Sequence, residues 1–245
     1  NLPNNGEELF KNINSNEINL YGDIIIIKKH NDLFIDIDSS EYGEFYNIMY
    51  NYYDDMELET IIKHRRNIKP QFFTPDVIPD QDIKDILESA NWAPTHGLTE
   101  PWRFVVFAGS SRQDFATFQS DTYKSKVTPE SFHKIKYDKL LSTPLLASHI
   151  IAVVVENSEN SRIPFLEEIV AVSCSVQNIL LSAAEKNIAV HWTTGGVTYS
   201  DEMKIYLGFE KKDTILGFLY LGRSNDKINQ KGNRRSGMEN KIIWK

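Results

Sequence analysis

Between Phe165 and Lys186 the apolar residues Ile169, Val172, Val176, Ile179, Leu180 and Ala183 recur with a period near 3.6 residues. This is the longest helical stretch in the pattern. Its apolar face has to be covered, so the chain is expected to fold around one long central helix. Cys174 falls inside that stretch and reads as a core thiol rather than a nucleophile. Just upstream, His149–Val155 carries six aliphatic residues in succession, the mark of a buried strand.

Neither Ile150–Val155 nor Ile24–Ile27 approaches the roughly 20 apolar residues that cross a bilayer. No basic-then-apolar signal segment opens the chain. The expectation is a cytoplasmic protein with no membrane partner. A single cysteine excludes internal disulfides and thiolate metal clusters, and the six histidines form no H-x-x-x-H pair, so no metal site is expected. With 245 residues, 41% of them hydrophobic, the chain can fill a real core.

The formal charge of −7 hides two regions. Residues 1–55 hold 11 acidic against 3 basic residues and ten Asn, a net of −8, whereas residues 56–245 hold 23 against 24, a net of +1. The overall acidic balance argues against nucleic acid as the main partner. Asp23–Ile27 and Leu33–Ile37 flank a polar turn and read as a hairpin. After Ser39–Ser40, a plausible helix cap, Tyr42, Phe45, Tyr46, Met49 and Tyr53 share a helical face. Residues 1–55 are therefore expected to form a small ββα appendage, or else an Asn-rich floppy leader.

From Met56 onward helical and strand patterns alternate. Helices are expected at Leu58–Lys63, from Pro79–Asp80, after Gly109 and at Asp201–Leu207, with strands at Arg103–Ala108, Ala189–Trp192 and Thr214–Leu221. The body is thus an α+β domain, its mixed or antiparallel sheet flanked by helices. It carries neither G-x-G-x-x-G nor a P-loop, so any phosphate has to be held by side-chain cations.

Two cation groups are candidates. His64-Arg65-Arg66-Asn67-Ile68-Lys69 places three permanent cations and an amide within five positions, a set that can satisfy a phosphate dianion, although such runs are commonly solvated helix ends. Lys231-Gly-Asn-Arg234-Arg235 is a second cationic run. The segment Ala93-Pro-Thr95-His96-Gly-Leu-Thr-Glu-Pro-Trp-Arg-Phe104 forms a loop between a helix and a strand, and its Thr and His groups can face a ligand. His191-Trp192-Thr193-Thr194-Gly195-Gly196 ends a strand with paired glycines, which let backbone approach a flat ligand closely.

These motifs, followed by G-F-L-Y-L-G and the basic C-terminal segment, resemble the FMN-dependent nitroreductase family, and most closely its small, minimal-length branch. The resemblance covers Met56 to about Arg235 and leaves residues 1–55 without a counterpart. It implies a homodimer with FMN at the subunit interface, contacted by both chains, and NADH or NADPH as electron donor. It further implies ping-pong hydride transfer to nitroaromatics, quinones or similar flat acceptors, with the chemistry carried by FMN and no catalytic side chain.

On that resemblance Arg65, Arg66, Asn67 and Lys69 hold the flavin phosphate and ribityl chain. Thr95 and His96 approach from the partner subunit, and Trp192, Thr193, Thr194 and Gly195 lie along the ring. Arg234 and Arg235 add phosphate contacts. Asn67 replaces the usual Ser, and Leu98 and Glu100 stand where many relatives have Asn and Gln. Acceptor selectivity is expected from loops around Ser120–Lys139. A flavin-binding protein without turnover is the alternative reading, and a partner-docking role for residues 1–55 a third.

Overall fold

The computed structural model describes residues 19–21, 24–27, 33–36, 58–157, 162–224 and 234–245. Its contacts separate into two units, Asn1–Leu58 and Glu59–Lys245. In the first, strands β1 (Asn19–Tyr21), β2 (Ile24–Ile27) and β3 (Leu33–Asp36) form an antiparallel sheet in that order, with Ile24 opposite Asp36 and Asn19 opposite Ile26. The expected hairpin is the β2–β3 pair, and β1 adds a strand that the pattern did not disclose. The expected helix around Tyr42–Tyr53 lies outside the described residues.

The second unit contains helices α1 (Leu58–His64), α2 (Asp80–Asn91), α3 (Ser111–Lys126), α4 (Lys134–Ser142), α5 (Phe165–Glu185) and α6 (Asp201–Tyr206). Strands β4 (Trp102–Ala108), β5 (His149–Val155), β6 (Ala189–Thr193) and β7 (Thr214–Gly222) make one sheet in the order β4-β5-β7-β6. All of its pairings are antiparallel. An isolated parallel bridge joins Asn67 to Val190 on the outer edge of β6.

β5 is buried along its whole length, and its alternation divides the core. Ile151, Val153 and Val155 join α2 and α5 through Ile83, Ile86, Val172, Val176 and Ile179. Ile150, Ala152 and Val154 join Phe115 and Tyr123 of α3 and Met203 of α6 on the other face. Each fully buried side chain of this kind contributes on the order of 1.5–3 kcal/mol. The result is a helix–sheet–helix sandwich.

By length and composition α5 could cross a bilayer, with 21 residues and a mean hydropathy of 1.3, a property that a search for uninterrupted aliphatic runs overlooks. Val172, Val176, Ile179 and Ala183 are fully buried within the domain, and α5 is its core helix. Cys174 packs against the same cluster as a partly buried residue.

α5 ends in a Schellman turn. Asn187, at φ 54°, sends its N–H to Ala184 O at 3.1 Å, and Ile188 N–H reaches Ala183 O at 2.7 Å. Asn tolerates this left-handed conformation, and buried Ile188 leads directly into β6.

The segment expected to hold loops around Ser120–Lys139 is instead largely helical, since α3 runs to Lys126 and α4 begins at Lys134. The weak amphipathic pattern of α4, which buries no residue completely, explains why it was not legible.

The β5–β7 register shifts between Val153, opposite Gly217, and Val154, opposite Ile215, leaving Leu216 as an extra residue. Gly217 sits at φ 135°, and a Cβ there would lie 2.7 Å from both Thr193 O and Trp192 Nε1. Gly217→Ala is therefore expected to destabilise the domain by roughly 1–3 kcal/mol through backbone strain and displacement of β6, measured as a lowered urea midpoint.

Candidate functional site

The bulge in β7 frees the Leu216 carbonyl, which accepts the Trp192 indole N–H at 3.2 Å. That bond holds the Trp192 side chain against the core, so Trp192 offers backbone rather than its ring to the edge. Beyond it the chain passes through Thr193 into exposed Thr194, Gly195 and Gly196. Gly195 N–H reaches Thr193 Oγ1 at a long 3.4 Å, and Thr198 Oγ1 donates to Gly195 O at 2.6 Å.

The cationic segment after α1 docks along the same edge. Ile68 N–H donates to Val190 O at 2.9 Å, and the Asn67 Oδ1 accepts the Trp192 N–H at 2.7 Å. Asn67 thus fastens the segment to β6, its carbonyl oxygen committed to the protein. The Trp192 N–H is likewise committed, so the backbone donors of this edge are those after Trp192.

The fastening places Arg65 and Arg66 beside the edge and Lys69 near His191. The Arg65 guanidinium is half-buried, and its pKa is lowered first by burial and then by the charges of Arg66 and Arg234. Arg234 of the C-terminal segment therefore lies within electrostatic reach of Arg65, and the two sequence-distant cation groups converge. Arg235 follows it at the exposed surface.

The loop carrying Thr95 and His96 belongs to the opposite edge of the sheet, since it feeds β4. It is held onto the first turn of α5. The His96 Nδ1 lies 2.6 Å from Glu167 Oε2, the Thr95 and Thr99 hydroxyls are 3.0 Å apart, and Thr99 Oγ1 donates to Glu168 Oε2 at 2.7 Å. Glu168 is buried at the positive end of the helix, where a carboxylate is favoured. Gly97, Leu98 and Glu100 all have positive φ, a conformation that strains Leu98 and Glu100.

The pairing of His96 with Glu167 is an imidazole–carboxylate dyad that the sequence does not disclose, because 71 residues separate the partners. Glu168 and Thr99 escaped for the same reason.

The sheet order separates the two groups. β4 and β6 are three strand spacings apart, about 14 Å. Both the β4 loop and the residues after Thr193 lie at the same end of the strands.

Of the other histidines, His149 is a buried structural residue, as expected. Its Nδ1 lies 2.9 Å from Ser148 Oγ and its Nε2 3.1 Å from Asp80 Oδ1. His133 starts α4, its backbone N–H donating to the Tyr123 hydroxyl. His191 was not singled out by the sequence. Its Nδ1 is buried without a hydrogen-bond partner, and burial, reinforced by Lys69, holds its pKa down. Among the described residues no group of acidic, Cys and His side chains forms a metal site.

Comparison with known proteins bears on this arrangement. The nitroreductase family model matches residues 62–223. The chain is 30% identical over 142 residues to YdjA of Escherichia coli K12, covering 58% of this chain and 75% of that protein. It is also 30% identical over 169 residues to YfhC of Bacillus subtilis 168, covering 67% and 83%. Both relatives are NAD(P)H nitroreductases by inferred assignment. A nitroreductase-like protein from Bacillus cereus superposes with TM-score 0.64 at 25% identity, covering 77% of this chain and 95% of the other. The fold also matches the FMN-dependent nitroreductase NfnB of Mycobacterium smegmatis, solved with NADPH, with TM-score 0.60 at 18% identity, covering 76% and 97%.

Two outcomes follow from the geometry. Thr99→Val leaves buried Glu168 without the hydroxyl donor and is expected to cost about 1–3 kcal/mol, with faster amide exchange across residues 95–100. The neutral His191 imidazole belongs to the folded state. As pH falls below about 6.5 the unfolded chain takes up a proton that the folded chain disfavours, and stability drops. His191→Gln is expected to flatten that loss in urea midpoints compared at pH 7.5 and 5.5.

Proposed function

The chain belongs to the nitroreductase family, and we propose that it is an FMN-dependent NAD(P)H oxidoreductase that reduces nitroaromatics, quinones or similar flat acceptors by ping-pong exchange at one shared site. The observation that carries this reading is the convergence of Arg65, Arg66 and Arg234. The charges of Arg66 and Arg234 act against the half-buried Arg65 guanidinium, and a phosphate dianion bound beside Arg65 offsets that repulsion through charge-assisted hydrogen bonds. The residues present fit the group.

Arg65, Arg66 and Arg234 hold the phosphate, with Lys69 and Arg235 adding charge around it. Asn67 keeps the segment aligned with β6 through the Trp192 N–H. Thr193, Thr194 and Gly195 line the ring with backbone. Bound there, FMN would supply the redox centre between NADH or NADPH and the acceptor. No catalytic side chain is required.

The two edges of the sheet support a homodimer. A flavin held at the β6 edge lies across the sheet from the His96 loop of its own chain, so the loop that meets it comes from a second copy. Glu167 fixes the orientation of His96 through Nδ1, and the His96 side chain is largely exposed. Exposed apolar groups are available for such pairing: Leu166 and Val170 on α5, and Ile243 and Trp244 at the C-terminal end, which are 84% and 90% exposed.

Purified with FMN, the protein is expected to be yellow, to bleach anaerobically with NADH or NADPH and to recover its colour on addition of a nitroaromatic or quinone. Arg65→Ala is expected to weaken FMN binding roughly 10- to 100-fold, read by fluorescence titration. Colour without bleaching means a flavin-binding protein without turnover. A protein that refuses FMN overturns the proposal.

A further inference from the structure

A cavity of about 290 Å³ opens beside Gly196, immediately after the loop that ends β6, on the face covered by α3, α4 and α6. Tyr123, Val197 and Tyr199 give it ring and aliphatic surface, and Lys126 and Lys136 give it charge. Gly196 stands at φ 71°, and a Cβ there would lie 2.8 Å from Leu140 Cδ2, so glycine lets the backbone turn tightly at the mouth.

The lining is held in place. Tyr123 is buried, its hydroxyl accepting the His133 N–H at 3.0 Å and its ring stacking near Phe132. Lys136 Nζ lies 4.5 Å from the centroid of the Tyr123 ring. Lys126 is answered by Glu202 at 2.8 Å. No carboxylate pairs with Lys136 among the described residues. The cavity therefore combines aromatic surface with one cation that pairs with no carboxylate among the described residues.

We propose that this cavity receives the carboxylate-bearing end of the acceptor, so that the enzyme's preferred oxidant is an aromatic acid; this assignment rests on the oxidoreductase function proposed above. The ring of such a molecule packs between Tyr123, Val197 and Tyr199 while its carboxylate pairs with Lys136. Its reducible group is left toward Gly196 and the strand end where the flavin ring is lined. A volume of this size suits one or two rings. A neutral acceptor of the same shape gains the packing but leaves Lys136 without its partner.

The test uses the full chain loaded with FMN, with 4-nitrobenzoate and neutral 4-nitrobenzyl alcohol as probes. Calorimetry on the oxidised protein reads binding without turnover, and kcat/KM reads reduction. The wild type is expected to favour the acid roughly tenfold in both, a preference that shrinks with added salt. Lys136→Gln is expected to abolish the preference and Lys136→Glu to reverse it. Equal treatment of the two probes by the wild type, or a preference that survives Lys136→Glu, overturns the proposal. Binding of 4-nitrobenzoate that depends on Lys136, with neither probe reduced, upholds the aromatic-acid site and overturns the oxidoreductase function. Reduction of both probes without any dependence on Lys136 does the opposite.

Discussion

The burial of β5 on both faces is the constraint on which the rest of the domain depends. An aliphatic strand without a polar face can be satisfied only between two apolar layers, and its alternation sends Ile151, Val153 and Val155 toward α5 and Ile150, Ala152 and Val154 toward α3. Once β5 is central, β4 and β7 become its neighbours and β6 is displaced to an edge. That displacement exposes the side of β6 on which Asn67 and Ile68 dock.

The site is built from concessions in this regular frame. The extra residue Leu216 in β7 breaks the ladder locally, and the freed carbonyl takes the Trp192 indole. Gly217 supplies a backbone conformation and a close approach that a side chain would block. These adjustments hold β6 firmly while the segment after Thr193 stays open. At the other edge, strain in residues 97–100 is carried by bonds to Glu167 and Glu168 in the first turn of α5. The same helix that fills the core thus positions the His96 loop.

Much of the frame was legible in the sequence. The period in Phe165–Lys186 and the unbroken run in His149–Val155 are strong local signals, because a long apolar face or a two-sided strand has few ways to be buried. α4 was missed, since a short helix that buries no residue completely has no decisive period. The motifs around Arg65, His96 and Trp192 could be found by residue type and order. The bonds that give them their roles join residues far apart in the chain: Asn67 to Trp192, His96 to Glu167, Thr99 to Glu168.

Residue chemistry and periodicity by themselves determined the α+β class, the central helix, the need for side-chain cations at any phosphate and the identity of the candidate segments. Only the tertiary structure decided that Arg65 and Arg234 converge, that the β6 edge and the His96 loop stand on opposite sides of a four-stranded sheet, and that Trp192 spends its N–H groups on the protein. The reason is physical. Local pattern reports which faces must leave water, whereas the meeting of two polar groups depends on how buried layers stack, and that is fixed by contacts between segments that carry no mark of one another.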